Sequence, residues 1–166
     1  MIIGILSDTH DSIHLIDKAV EKLNELNVEL VLHAEDYIAP FVVSHFTLLK
    51  APMIGVLGNN DAEETFLKTR LKELGIDIRG NFAFENIDGL RIGMLQGHET
   101  DLTRSLLELE TFDVLVCGHT HKAKTYRTGN TLVINPGENC GYLSGKSTIA
   151  SLDTRNLNAK IVQLET

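Results

Sequence analysis

Met1-Ile-Ile-Gly-Ile-Leu-Ser-Asp-Thr-His10 is the stretch whose reading decides the fold. β-favouring apolar residues run to Leu6, and the chain then turns polar. This predicts a buried strand ending in a loop that holds Asp8 and His10. Residues two apart in extended chain point to the same side, so Asp-x-His at a strand end aims a carboxylate oxygen and an imidazole nitrogen at one point. The pair alone says little, but it recurs in kind. Val28–Leu32 runs into His33-Ala-Glu-Asp36, and Met53–Leu57 into Gly58-Asn59-Asn60-Asp61. Leu90–Leu95 runs into Gln96-Gly97-His98, and Val114–Cys117 into Gly118-His119-Thr120-His121. Each apolar strand ends in a loop of acids, amides or histidines.

The segments between these strands read as helices in the first half. Ser12 caps a predicted helix that runs to Leu26, with Ile13, Ile16, Ala19, Val20 and Leu23 on one face. Pro40 suits the first turn of a helix holding Phe41, Val42, His45, Phe46 and Leu49. Asp61 and Glu64 form a capping box for a helix to Leu74, which Gly75 ends. The order β-α-β-α-β-α implies parallel strands with crossover helices. The second half is richer in strands. Phe82–Asn86 and Leu90–Leu95 flank the hairpin signal Asp88-Gly89, and a helix from Thr100 or Asp101 to Leu109 precedes the strand Asp113–Cys117. Lys124–Arg127 pairs with Thr131–Asn135 across Gly129-Asn130, and Ser147–Asp153 with Ala159–Leu164. Helices early and hairpins late suggest two mixed sheets packed together with helices outside. There is no internal repeat or linker, so residues 1–166 are expected to form a single domain. In open α/β sheets the functional crevice lies beyond the carboxyl ends of the strands, where the polar loops fall.

A chain of 166 residues can bury a sizeable core. Its formal charge of −8 argues against a broad nucleic-acid surface or an anionic-membrane surface. The two cysteines give no disulfide framework. Cys117 reads as a small core residue, and Cys140 as a loop residue with no metal-type partner. Without a basic leader or a membrane-length apolar run, a soluble, cytoplasmic protein is expected.

Asp8, His10, Asp36, Asn59, His98, His119 and His121 offer oxygen and nitrogen ligands without thiolate. Such a set suits manganese, iron, nickel or zinc, and its histidines argue against a pure calcium or magnesium site. One tetrahedral ion needs fewer ligands, which favours two ions with Asp36 as the bridging carboxylate. The chain has no Walker phosphate loop, His-Glu-x-x-His helix or Gly-x-Ser-x-Gly elbow. Taken singly, each of these side chains is more often a turn cap or a surface residue; the ordered set favours metal. Asp61 reads as a helix N-cap at least as readily as a catalytic residue. His33 reads as a core or supporting histidine, His14 and His45 as exposed helix residues. Tyr126 and Tyr142 read as packing residues, with flanking of a substrate base as the other option.

Asp8-Thr9-His10, Asp36, Gly58-Asn59-x-Asp61 and Gly118-His119-Thr120-His121, in this order, resemble the calcineurin-like metallophosphoesterase superfamily. The length and Asn135-Pro136-Gly137 before the last hairpin resemble its small single-domain phosphodiesterases. The resemblance implies a four-layer α/β/β/α sandwich. It implies Asp8, His10, Asp36 and His121 around a first metal, and Asp36, Asn59, His119 and the fourth-loop residue around a second. It further implies a phosphodiesterase that uses a hydroxide bridging two divalent metals, manganese first among them. Asn59 and His98 would then hold the phosphate of a small phosphoester. Three positions depart from the family pattern. Glu35 stands where glycine is usual, Gln96 stands for a ligating histidine as a weaker amide donor, and Asn60 replaces a histidine that protonates leaving groups. The resemblance leaves open a non-catalytic scaffold like the retromer subunit of the same fold, and a phosphomonoesterase or dinucleotide hydrolase. A homo-oligomer is also compatible with it.

Overall fold

A computed structural model describes residues 1–165. The first half alternates strand and helix: β1 (Ile2–Leu6), α1 (Ile13–Glu25), β2 (Leu30–His33), a 3₁₀ helix (Pro40–Leu48), β3 (Met53–Gly55), α2 (Glu64–Glu73) and β4 (Asp77–Ile78). The second half holds β5 (Phe82–Ile87), β6 (Leu90–Leu95), α3 (Thr100–Glu108), β7 (Val114–Cys117), β8 (Lys124–Thr128), β9 (Thr131–Asn135), β10 (Thr148–Asp153) and β11 (Asn158–Gln163). One sheet has the order β11-β10-β1-β2-β3-β4, and the other β5-β6-β7-β9-β8. β1 through β4 are parallel, as are β6, β7 and β9, and hairpin partners close the sheets antiparallel. Both sheets are therefore mixed, and together with the helices they make the expected four-layer sandwich.

Alternation along β1 assigns its two faces. Ile3 and Ile5 point between the sheets, where they meet Leu32, Met94, Val114, Val116, Ile134 and Leu152. Leu6 points the other way, into a layer with Ile16, Leu23, Val42, Phe46, Leu67 and Leu71 under the first three helices. Leu95, Phe112 and Leu115 form a smaller cluster on the outer face of the second sheet, with Leu106 and Leu107 of α3 against it. Full burial of each such aliphatic side chain stabilises the fold by about 1.5–3 kcal/mol. Gly4 has no side chain because a Cβ there would run into Leu23 of α1.

The helices depart from expectation in identifiable ways. Pro40–Leu48 is a 3₁₀ helix rather than an α-helix. Ser44 Oγ donates to the Phe41 carbonyl at 3.0 Å and Thr47 Oγ1 to the Ser44 carbonyl at 2.6 Å, and these bonds to the third preceding residue suit the tighter coil. Ser12 sits at the N-cap of α1 but makes no capping bond through its side chain. The capping box of Asp61 and Glu64 does not form. Glu63 holds the N-cap position of α2, because the Asp61 carboxylate is already taken by the amides of Ile38 and Gly58, each at 2.8 Å. Gly75 does end α2. At φ +74° its N–H bonds the Lys72 carbonyl and that of Ile76 bonds the Leu71 carbonyl, a Schellman stop. β4 escaped the sequence reading because two residues carry no periodicity.

Candidate metal centre

The loops after β1, β2, β3, β6, β7 and β9 meet at the carboxyl ends of the parallel strands. Asp8 and His10 come from the first, Glu35 and Asp36 from the second, Asn59 and Asn60 from the third. Gln96 comes from the fourth, His119 and His121 from the fifth, and Glu138 from the sixth. Asp8, His10, Asp36, His119 and His121 all have φ between +40° and +63°. Such conformations cost non-glycine residues about 1–3 kcal/mol each and persist only where the surroundings impose them, commonly at functional sites.

On one side of the centre, Ser7 Oγ donates to Asp8 Oδ2 at 2.7 Å. Asp8 Oδ1 is buried and has no hydrogen-bond partner among the described residues. It faces His121 Nε2 at 3.2 Å and His10 Nε2 at 3.8 Å. His10 Nε2 is likewise buried and unpartnered among the described residues, 3.5 Å from Asp36 Oδ2. His121 Nδ1 lies 2.7 Å from Glu138 Oε2. A carboxylate only accepts, so Nδ1 carries the hydrogen, and in the neutral ring Nε2 is an acceptor turned toward Asp8 Oδ1. Across 3.2 Å that arrangement takes a cation, either a proton on Nε2 or a metal ion. Asp8, His10, Asp36 and His121 supply the mixed oxygen and nitrogen set that a divalent transition metal takes, so these residues fit one.

The electrostatics agree. Burial works against charge on both Asp8 and His10. The Ser7 hydroxyl on Asp8 and the opposite charges facing each other outweigh it, lowering the pKa of Asp8 and raising that of His10. His33, fully buried and stacked on Tyr37 at 3.8 Å, is held neutral by burial, its pKa lowered to about 3. Its Nδ1 accepts the Glu35 N–H at 3.2 Å. Nε2 is then the protonated nitrogen and bonds Thr9 Oγ1 at 3.3 Å, which makes His33 a support beneath the first two loops.

On the other side, Asp36 Oδ2, Asn59 Oδ1 and His119 Nδ1 surround the Gln96 amide nitrogen. That nitrogen is 3.5 Å from Asp36 and 3.3 Å from His119, and it bonds Asn59 Oδ1 directly. Gln96 Oε1 accepts the Asn59 N–H at 2.9 Å. The hydrogen-bond network thus turns the amide oxygen toward Asn59 rather than toward Asp36. Asn60 donates its backbone N–H to Asp36 Oδ1 at 3.2 Å and its side-chain amide to Asp36 Oδ2 at 2.8 Å.

Glu35 is fully buried at φ +114°. Its carboxyl lies in space that Gly58 and Gly118 leave, since a Cβ on either would strike it. Oε1 accepts the His119 N–H at 3.0 Å, while Oε2 has no hydrogen-bond partner among the described residues. Burial, reinforced by the charges of Asp8 and Asp36, pushes its pKa well above the usual carboxylate range.

The structure thus brings Asp8, His10, Asp36, Asn59, Gln96, His119 and His121 together. Asp61 lies buried beneath them on its two amide bonds. His98 is on the rim, partly exposed, with its ring 5.9 Å from that of His119. Tyr142 is exposed, its ring 6.4 Å from that of His10, and Tyr126 is exposed on β8. Sequence reasoning missed Glu138 and Cys140. Cys140 was expected to lack a metal-type partner, but its sulfur and nitrogens of His10 and His121 lie within 4.8 Å of one another. The loop bends back because Asn139 N and Cys140 N bond the carbonyls of Ser7 and Asp8, each at 3.0 Å. The one sequence signal was Asn135-Pro136-Gly137, which marks the turn but gives no role to the residues beyond it. Among the described residues no helix is long and apolar enough to cross a membrane.

The model of the calcineurin-like phosphoesterase superfamily domain matches residues 1–157. Phosphodiesterase MJ0936 of Methanocaldococcus jannaschii is 40% identical over 166 residues, covering 99% of this chain and 100% of the relative. The solved structure of an archaeal phosphodiesterase superposes with a TM-score of 0.94 at 40% identity, covering 99% of this chain and 100% of that one. YfcE, a phosphoesterase from E. coli, shares the fold with a TM-score of 0.72 at 19% identity, over 99% of this chain and 100% of its own.

Proposed function

The chain belongs to the calcineurin-like phosphoesterase superfamily, and we propose on that premise that it hydrolyses phosphodiesters at the centre built around Asp8 and His121. The observation that carries the reading is the convergence of His121 Nε2 and the unpartnered His10 Nε2 on the buried Asp8 Oδ1, inside a ring of strained ligand residues. Strain of this kind around unpartnered buried polar atoms favours a centre that holds a ligand over a purely packing role. The relatives extend over the full chain, which makes a hydrolase the best-supported activity.

The family implies divalent metals, and we assign Asp8, His10, Asp36 and His121 to a first position and Asp36, Asn59, Gln96 and His119 to a second. Bound there, divalent metals supply a hydroxide nucleophile and stabilise charge on the phosphate oxygens. Manganese is our first choice, with nickel, iron and zinc compatible with the same donors. The protein's own groups orient and polarise. Asn60 holds the Asp36 carboxylate in place through two bonds. His98, on the rim, can donate to a phosphate oxygen. No histidine stands at position 60 to protonate the departing oxygen, so diesters with good leaving groups are favoured. The substrate is a small phosphoester. The free thiols Cys117 and Cys140 agree with a reducing compartment such as the cytoplasm.

The test joins metal analysis of the purified protein to hydrolysis of bis(p-nitrophenyl) phosphate with added manganese. Metal-dependent release of nitrophenolate that is lost in Asp8→Ala and His121→Ala supports the reading. A folded protein that binds no metal, or activity untouched by both substitutions, rejects it.

A further inference from the structure

Glu138 is fully buried and belongs to no motif noted in the sequence. Every group around its carboxylate is a donor. Oε2 takes His121 Nδ1–H at 2.7 Å, the Cys140 thiol at 3.3 Å and the Leu143 N–H at 3.1 Å. Oε1 takes the Leu143 N–H at 3.0 Å and the Ser144 N–H. The last two amides belong to a turn that Gly141 and Gly145 permit, at φ +67° and +72°, and that Gly145 N closes on the Gly141 carbonyl at 3.2 Å. The same turn carries Tyr142 beside His10.

From this geometry we infer that Glu138 is a positioning residue: its carboxylate fixes the His121 ring with the Nε2 lone pair toward Asp8 and ties that ring to the rim turn 141–145. The inference rests on the metal-centre reading proposed for Asp8 and His121. Its logic is that of a metal-ligating histidine whose other N–H is held by a carboxylate, which sets tautomer and ring orientation. Only a group that accepts at both ends satisfies this cage. In Glu138→Gln one end becomes an NH₂ donor. The backbone amides cannot shed their hydrogens, so the NH₂ turns toward His121, where it opposes Nδ1–H. The imidazole then relaxes by moving its hydrogen to Nε2, where it bonds Asp8 Oδ1 and blocks the lone pair.

The experiment needs no turnover. Nitrogen-15 imidazole spectra of the full chain, after chelation and with zinc bound, should show His121 protonated at Nδ1 in both states. Zinc affinity, measured by competition with a chromophoric chelator, should fall about tenfold to hundredfold at the tighter position in Glu138→Gln. The chelated variant should show the Nε2–H tautomer, a change that loosening of the turn alone would not produce. An Nε2–H tautomer in the chelated parent overturns the inference, and so does a folded Glu138→Gln with unchanged zinc affinity. A parent that binds no zinc removes the metal-centre reading and this role with it; a parent that binds zinc while Glu138→Gln binds it equally well removes only the role. If Glu138→Gln does not fold, Glu138→Asp, whose shorter arm cannot span both partners, carries the zinc-affinity measurement.

Discussion

Asn60 holds both oxygens of Asp36, its side-chain amide 2.8 Å from Oδ2 and its backbone N–H 3.2 Å from Oδ1. From the sequence, Asn60 is only the place where a proton donor is missing. In the fold it clamps the one carboxylate that faces His10 on one side and Gln96 on the other. Asp36→Ala should therefore abolish hydrolysis and lower the metal content of both positions, and Asn60→Ala should weaken metal binding without removing it. Metal content after dialysis against a fixed free manganese concentration checks both. Two metals retained in Asp36→Ala would refute its assignment as the shared ligand.

Gln96 separates two accounts of the second position. If its oxygen is a ligand, the amide must turn over and release the Asn59 N–H that it accepts at 2.9 Å. Gln96→His should then raise metal affinity, because imidazole is the better donor, and Gln96→Ala should lower it. If the amide nitrogen instead keeps its bonds to Asp36 and Asn59, Gln96→Ala should leave the second affinity equal or higher. Metal titration of the two variants decides between these accounts. The donor set and the bond now made to Asn59 together predict a second position weaker than the first in the parent.

Glu35→Gly should stabilise the protein. Glutamate at φ +114° is strained, and its Oε2 is buried without a hydrogen-bond partner among the described residues. Relief of backbone strain is worth about 1–3 kcal/mol. Loss of the bond to the His119 N–H offsets about 1 kcal/mol of that gain. Urea unfolding of both proteins in excess chelator measures the difference. A marked loss of stability would mean that the hold on His119 outweighs the strain.

The parts of this site that follow a local pattern were legible in the sequence. Asp8, His10, Asp36, His119 and His121 could be placed because each follows an apolar strand, and a strand end fixes where its loop must lie. Glu138 could not be placed, because its role depends on a turn folding back on the Ser7 and Asp8 carbonyls, a contact between residues far apart in the chain. The capping box of Asp61 fails for the same reason. The capping pattern is local, but the carboxylate is claimed by Ile38, more than twenty residues away. The length and spacing of Pro40–Leu48 read as a helix, yet they do not distinguish a 3₁₀ from an α coil when hydroxyls bond back to the chain.

His33 sets a pH dependence of stability. Its pKa is lowered to about 3 in the fold by burial, against an ordinary value of 6.5. The unfolded chain therefore binds a proton between these values and the folded one does not. The contribution is complete above pH 6.5 and is lost as pH falls toward 3, at about 1.4 kcal/mol per pH unit. His33→Gln keeps a donor and an acceptor but does not titrate. Its stability, measured by urea unfolding in chelator from about pH 7 to about pH 4, should fall less steeply than the parent's by about that slope. Parallel curves would show that His33 protonates without cost.

The last expectation concerns the departing oxygen. General acid catalysis typically contributes about 10²–10⁴-fold, and most of that is felt by alkoxides that cannot leave without a proton. Asn60 cannot donate one, and its amide is occupied by Asp36. Rates on a series of aryl and alkyl diesters under saturating manganese should therefore fall steeply as leaving-group pKa rises. Asn60→His should flatten that slope only where metal content is preserved, because the substitution also removes the 2.8 Å bond to Asp36 Oδ2. The useful comparison is turnover per bound metal. On that scale Asn60→His should gain on alkyl diesters and stay level on nitrophenyl diesters. Each Asp61 oxygen already accepts an amide N–H, from Ile38 and from Gly58, which holds the carboxylate in place for those bonds, so the gain should sit at the low end of the range. A flat leaving-group dependence in the parent sinks the idea, since it would mean that bond cleavage is not rate-limiting or that another group, His98 first among them, already supplies the proton.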